Sequence, residues 1–410
     1  MTQSRATASL GWMNAEKDHR TARGTIRALA GARAIPPLII VLYHFSEGHH
    51  YSGVQWWDRI VTRGYLWVEF FFVLSGFILT YSYGHRMREL LTWRGYGAFL
   101  RARLIRLYPV HLFMLLLILV MVLVLRNLAN DGGYTSIFDL KYHQDVSVKG
   151  FVLSLLLMNG WHTMDRLTWN GLSWFVSVEF ALCLMFPAIL WFSVRGGRWR
   201  GPLLVAAGLA GLLIMLATLQ HGLDQTYDWG LARGLSEFLV GAGLAVLFGG
   251  VDHQRIPVWV HSAGQSMLLL LLAYSVTFTG WSHGFNDIYT VLPIMGLVFA
   301  LAFDRGVVAD LLKARPLQRI GDWSYAIYLG QTAWLLVIRY FANAVYPPPD
   351  TPVLGTTFFS LMWWLEPLLL VLACLGWGAA LAEWVEKPAS RFLRNRLGRR
   401  LDPKSIPTPS

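Results

Sequence analysis

The chain has 410 residues, 55% of them hydrophobic and only 14% charged, with a formal net charge of +11. A water-soluble domain carries nearer a quarter charged residues, so this composition belongs in a membrane and sets aside the two or three soluble domains that length alone would suggest. The basic residues fall in short runs between apolar segments, a pattern that suits one side of a bilayer and removes nucleic acid as the partner of the positive charge.

Residues 1–26 read as a basic cytoplasmic tail, with no sign of a removable signal peptide. The first span is expected over about 27–46. Pro36-Pro37 should loosen its early turns, because proline removes an amide donor and clashes with the turn before it. Arg33 and His44 are eleven residues apart on this span, about 16 Å along one helix face. Entry at Arg33 would bring His44 near the bilayer midplane, where an ionisable group points to function. The competing reading is a satisfied interior or interfacial histidine.

A polar loop over 46–62 holds His49, His50, Trp56 and Trp57. The second span, about 64–82, contains the string Val68 to Phe77 with Glu69 and Ser75 inside it. A basic loop follows with Arg86, Arg88, Arg94, Arg101, Arg103 and Arg106, then a third span from Tyr108 to about Leu125. This loop is the most basic of the interior ones, so it and the amino terminus are expected in the cytoplasm. Phe151 to Met158 is apolar but too short to cross, and reads as a buried or half-inserted external helix.

Further spans are expected at about 171–194, 202–220, 230–249, 258–279, 286–303, 321–341 and 357–384. The reading is an all-α integral membrane protein of the cytoplasmic membrane, with about ten transmembrane helices and both termini inside. The transmembrane domain covers 27–390, and a second basic tail covers 391–410. Cys183 and Cys374 lie in apolar runs, so no disulfide framework is expected.

Helical rise from the expected edges brings His44, Ser75, Glu179 and Gln331 to one depth, with Glu237 slightly nearer the outer face. Polar groups from separate helices at one level suggest a lined cavity. A neutral imidazole beside a carboxylate is an arrangement for a general base, the carboxylate fixing the tautomer and stabilising the imidazolium. For Ser75 the plainer reading is helix packing through Ser75-Gly76. Arg33 and the group Arg101, Arg103 and Arg106 face the cytoplasm at the membrane edge, where guanidinium forks suit phosphates. Topology and lipid binding alone explain Arg86 and Arg88. A ligand with phosphates at Arg33 and a flexible arm half a bilayer long would place its reactive end at His44. Coenzyme A has that shape.

These stretches together resemble the membrane-bound acyltransferase family 3, whose members O-acylate bacterial surface and periplasmic glycans and some antibiotics. The similarity rests on Arg33 with His44, on Val68 to Phe77, on Arg106-Leu-Tyr-Pro109, on Trp174 to Glu179, on Arg233 to Gly241 and on Ser324 to Leu329, in the family's order. It implies a membrane O-acyltransferase using acyl-CoA, acetyl-CoA first among donors, and a hydroxyl acceptor outside, on a polysaccharide, glycan or glycolipid. His44 is then the base or a transient acyl carrier, and Glu179 orients it. Arg33, Arg103 and Arg106 hold the donor phosphates, while Glu69, Ser75, Trp174, Glu237 and Tyr328 line the path.

There are departures. Glu69 replaces an aspartate, Ala102 stands where a second basic residue is usual, Gln331 stands where a histidine often follows, and Pro36-Pro37 is atypical. No fused extracytoplasmic hydrolase-like domain is expected, so the acceptor reaches the cavity itself or a separate periplasmic protein collects the acyl group. The alternatives are a transporter using the same cavity, disfavoured by the lack of inverted repeats, and a metal site at His44, His49 and His50, whose spacing is unconvincing. No metal is expected.

Overall fold

A computed structural model describes residues 25–46, 55–130, 146–195, 197, 199–252, 255–278, 284–345 and 365–398. His49 and His50 lie outside this set, as do 357–364 of the last expected span. The described residues form a helical bundle without strands. Lipid offers the backbone no hydrogen bonds, and a helix satisfies them within its own segment.

The first span is two helices, α1 (Arg27–Ala32) and α2 (Ile35–Ser46). The break falls at Arg33 and Ala34, so Pro36 and Pro37 open the first turn of α2. Proline is tolerated there because those amides have no partner within the helix, so the pair starts a helix instead of loosening one. Next come α3 (Gln55–Thr62), a 3-10 turn at Gly64–Trp67, α4 (Val68–Tyr83) and the single turn α5 (Met87–Leu90). Helix α6 runs unbroken over Trp93–Asn130. Much of the expected basic loop is therefore helical, and Arg103 and Arg106, three apart, share a face.

The chain continues with α7 (Val148–Leu155), α8 (Ser173–Val194), α9 (Arg200–Thr218), α10 (Gly230–Gly249), α11 (Val258–Phe278) and α12 (Ile288–Leu301). It closes with α13 (Val307–Leu312), α14 (Arg315–Val345), α15 (Leu365–Leu381), a π-helical turn at Ala382–Glu386 and α16 (Lys387–Gly398). Each expected span has a helix at its place. Among the described residues six helical stretches are long and apolar enough to cross a membrane: Gly64–Leu90, Trp93–Val124, Ser173–Val194, Arg200–Thr218, Gly230–Gly249 and Pro367–Leu397. Helix α7 has eight residues, too few to cross.

The helix ends gather into two sets. At one end Ala28 N donates to Asp304 Oδ1 (2.8 Å), Gln318 Nε2 to Arg27 O (2.8 Å) and Ser390 Oγ to Ile105 O (2.9 Å). At the other, Tyr65 Oη donates to Asp287 Oδ1 (2.6 Å), Leu223 N to Asp287 Oδ2 (3.0 Å) and Tyr43 Oη to Asp224 Oδ2 (3.3 Å). The first set holds the ends that the lysine and arginine count assigns to the cytoplasm; it is called the basic end below. Helices α4 and α10 cross with their backbones touching. A Cβ on Gly76 would overlap the carbonyl of Phe238, and one on Gly241 that of Val73. Small residues permit this approach, which packs helices where no hydrophobic effect drives them together.

Candidate active site

Three polar layers stack along the bundle. The layer at the basic end collects arginines. Arg33 lies at the break between α1 and α2, where its Nη2 donates to Ser324 Oγ at 3.2 Å. Arg103 lies over the ring of Phe99, 5.5 Å from its centroid. Among the described residues neither Arg103 nor Arg106 forms a hydrogen bond or ion pair, and all three arginines are half-buried. Ser75 Oγ donates to Glu179 Oε1 at 2.6 Å, and Glu179 Oε2 is buried without a hydrogen-bond partner. Arg103, Arg106 and Arg33 are the cations whose fields reach Glu179. Arg106, Glu386, Asp322 and Glu179 act on Arg33. Glu386 closes the π-helical turn, and its Oε2 is also buried without a partner.

The middle layer is closed. Arg233 on α10 is buried, and all three of its guanidinium nitrogens donate. Nε and Nη2 reach Glu69 Oε1 at 3.0 and 2.6 Å, Nη1 reaches Gln225 O at 3.1 Å, and Nη2 also reaches Tyr65 O at 3.0 Å. Glu237, one turn along α10, lies 3.5 Å from Nε. The guanidinium sits 5.7 Å from the Trp174 ring, and Trp174 packs on Phe72. Tyr328 is buried against Phe175, its hydroxyl without a hydrogen-bond partner. Glu69, Trp174, Glu237 and Tyr328, expected along a path, thus cluster around or beside one buried ion group. A lone arginine shared by two buried glutamates ties α4 to α10 and to the segments carrying Tyr65 and Gln225.

The outer layer holds His44. Its neighbour Tyr43 meets Tyr65 at 5.9 Å between ring centroids and lies directly against Gly64, while its hydroxyl bonds Asp224. His44 itself is half-buried, 4.9 Å from the Tyr43 ring.

This corrects the shared depth expected from the sequence. Ser75 lies eleven residues past Gly64, through the 3-10 turn and into α4, about 16 Å or more toward the basic end. That places the Ser75–Glu179 pair at the level of Arg33. His44, eleven residues beyond Arg33, is at the opposite level. Glu179 bonds Ser75 and not His44, so the expected imidazole–carboxylate contact is absent among the described residues. The cause is where α8 begins. The connection before it sinks into the bundle, with Asn170 Nδ2 donating to Leu329 O halfway along the 31-residue α14. Glu179 is therefore carried deeper than a count from the membrane edge allows. Gln331 donates to Tyr328 O in the same central region.

Sequence reasoning had Ser324 only as the start of a family string, and missed Asp322 and Glu386 in the basic layer and Gln225 in the middle one. Glu386 is followed at once by Lys387 and, five residues on, by Arg391, which reads as a solvated charge run. Its place on a π-helical turn, a feature frequent at functional sites, emerges only in the structure. Among the described residues no group of three His, Cys, Asp or Glu side chains is placed to hold a metal.

A family model described as an acyltransferase domain matches residues 26–383. Acyltransferase MdmB of Streptomyces mycarofaciens is 29% identical over 336 residues, covering 76% of this chain and 79% of that protein. O-acetyltransferase OatA of Staphylococcus aureus is 24% identical over 363 residues, 79% of this chain, which spans about half (52%) of OatA. Protein 2 in picA locus of Rhizobium radiobacter is 37% identical over 89 residues, 22% of this chain and 41% of that one. No solved structure matches. The matched stretch contains all three polar layers save Glu386, together with helices of membrane-crossing length, and the chain therefore belongs to the acyltransferase domain family as a membrane acyltransferase.

Proposed function

We propose that this protein moves an acyl group from acyl-CoA, acetyl-CoA first among donors, to a hydroxyl of an extracytoplasmic glycan. One observation carries the reading: Arg33, Arg103 and Arg106 converge half-buried at one end with most of their donors unspent. Guanidinium forks so placed suit the phosphates of a nucleotide. From Ile35, just past the break at Arg33, helix α2 rises about 14 Å to His44, within reach of a pantetheine arm.

The donor enters from the cytoplasm with its phosphates on Arg33, Arg103 and Arg106. Ser75 and Glu179 act on it near this entrance. The thioester carbonyl comes up to His44 at the outer layer. There the acceptor hydroxyl attacks the carbonyl as the imidazole takes its proton, the C–S bond breaks, and coenzyme A leaves as thiol once it gains a proton. In the variant with a covalent step, the imidazole first takes the acyl group and then yields it to the hydroxyl. This reading sets the protein in the cytoplasmic membrane with its basic runs facing the cytoplasm.

The test is His44→Ala in the purified full-length protein, given acetyl-CoA and envelope polysaccharide fragments. Acyl transfer should fall on the order of 10²–10⁴-fold, while coenzyme A binding is retained. Undiminished transfer would sink the mechanism.

A further inference from the structure

Two connections meet at the outer end, residues 156–172 before α8 and 219–229 before α10. His162 N donates to Tyr227 O at 3.0 Å, and His162 Nδ1 lies 3.0 Å from Asp228 O. A backbone carbonyl only accepts, so Nδ1 carries a proton, and in the neutral form of the ring the lone pair is at Nε2. The ring is exposed and stands 5.6 Å from that of Trp229, which is itself 47% exposed. His162 holds a φ of +60°, and Leu157 and Trp169 in the same connection hold +57° and +45°. Three side-chain-bearing residues in the left-handed region within one short connection point to a segment held in shape by its surroundings.

The anchors are in the structure. Trp161 Nε1 donates to Ser177 O at 2.9 Å, Gly160 N to Ser177 Oγ at 3.0 Å, and Arg233 N to Trp229 O at 2.9 Å. The exposed rings are thus tied directly to the helices that carry Glu179 and Arg233.

An exposed tryptophan on a membrane protein can also be an interfacial anchor among lipid headgroups. The neighbours argue for water here. Asp165 and Arg166 form an exposed ion pair at 3.2 Å, and Arg166 holds the Asp165 carboxyl below its usual range. Burial first, then the charges of Asp228 and Asp165, push the Tyr227 phenol up. An aromatic face, a fixed imidazole acceptor and a carboxylate–guanidinium pair lie together facing solvent. That combination matches one ligand class, a polyhydroxylated ring with an apolar face.

We propose that Trp229 and His162 form a docking site for a sugar ring of the acceptor, its C–H face on the indole and one hydroxyl donating to His162 Nε2. This rests on the glycan reading above and adds where the glycan is held. The site binds and does no chemistry, so its loss raises the acceptor KM and spares donor binding.

The experiment is saturation-transfer NMR on the full-length protein in detergent, with hexose, N-acetylhexosamine and uronate tetrasaccharides as probes. At least one should bind the wild type. Trp229→Ala and His162→Asn should each weaken that binding roughly tenfold or more. Asparagine suits a left-handed backbone and keeps the connection folded, and Trp229→Phe should retain most of the binding. Coenzyme A retention by each variant reports an intact bundle. Unchanged binding in both weakened variants, or no binding of any probe to the wild type, overturns the site. If His44→Ala leaves transfer intact while Trp229→Ala still loses saccharide, the catalytic reading fails and the docking site stands.

Discussion

Arg233 and the Arg33–Arg103–Arg106 group use the same side chain for opposite ends. Arg233 is fully buried and has every guanidinium nitrogen engaged, with Glu69, Gln225 and Tyr65. The basic-end group is half-buried, and among its members one hydrogen bond, from Arg33 to Ser324, accompanies a ring contact at Arg103. An arginine with four of its five N–H donors engaged has little left for a ligand and works as a tie between helices. Arginines with unspent donors in a partly desolvated place are suited to receive an anion. What separates structure from binding here is how many donors are already taken.

That contrast can be broken most severely at the tie. Arg233→Ala leaves Glu69 and Glu237 facing each other without a counter-charge, which should cost about 3–5 kcal/mol. Thermal unfolding in detergent and the yield of folded protein would register it. Normal stability would mean that the carboxylates are neutral without help. Arg106→Ala should change unfolding little, since among the described residues its guanidinium forms no hydrogen bond or ion pair, and should raise the KM for acetyl-CoA by roughly ten- to a hundred-fold through lost charge-assisted bonds. An unaltered donor KM would remove Arg106 from the site.

Ser75→Ala is a finer cut. If Ser75 only packs helices, alanine replaces it at little cost. If its hydrogen bond supports Glu179, Oε1 loses its partner as well, both carboxylate oxygens are left unpaired, and stability falls by about 1–3 kcal/mol. Equilibrium unfolding of the variant distinguishes the two. The smallest effect is expected for Arg86→Ala. Its ion pair with Glu89 is on the surface, and such pairs contribute about 0–1 kcal/mol. A measurable loss of transfer there would extend the donor site beyond the three arginines.

The grouping of Arg33 with Arg103 and Arg106 was legible because all three flank apolar runs on the side the charge count calls cytoplasmic. Glu69 and Arg233 each stood out within a string, yet nothing in either string says that they are partners, being 164 residues apart. Glu386 was lost among neighbouring basic residues. His162 gave no signal at all, since its interest comes from a backbone conformation and from a carbonyl in another connection.

The amino-acid sequence by itself determined the helices, their alternation between two ends and the basic character of one end. Apolar runs and lysine–arginine spacing are local quantities, and lipid leaves a chain of that pattern little choice but helix. Only the tertiary structure decided depth. Helical rise measures distance from an entry point, and the entry points moved: the connection before α8 sank to the middle of α14, and the first span broke at Arg33. Ser75 and Glu179 therefore came to the donor end, and His44 to the outer one.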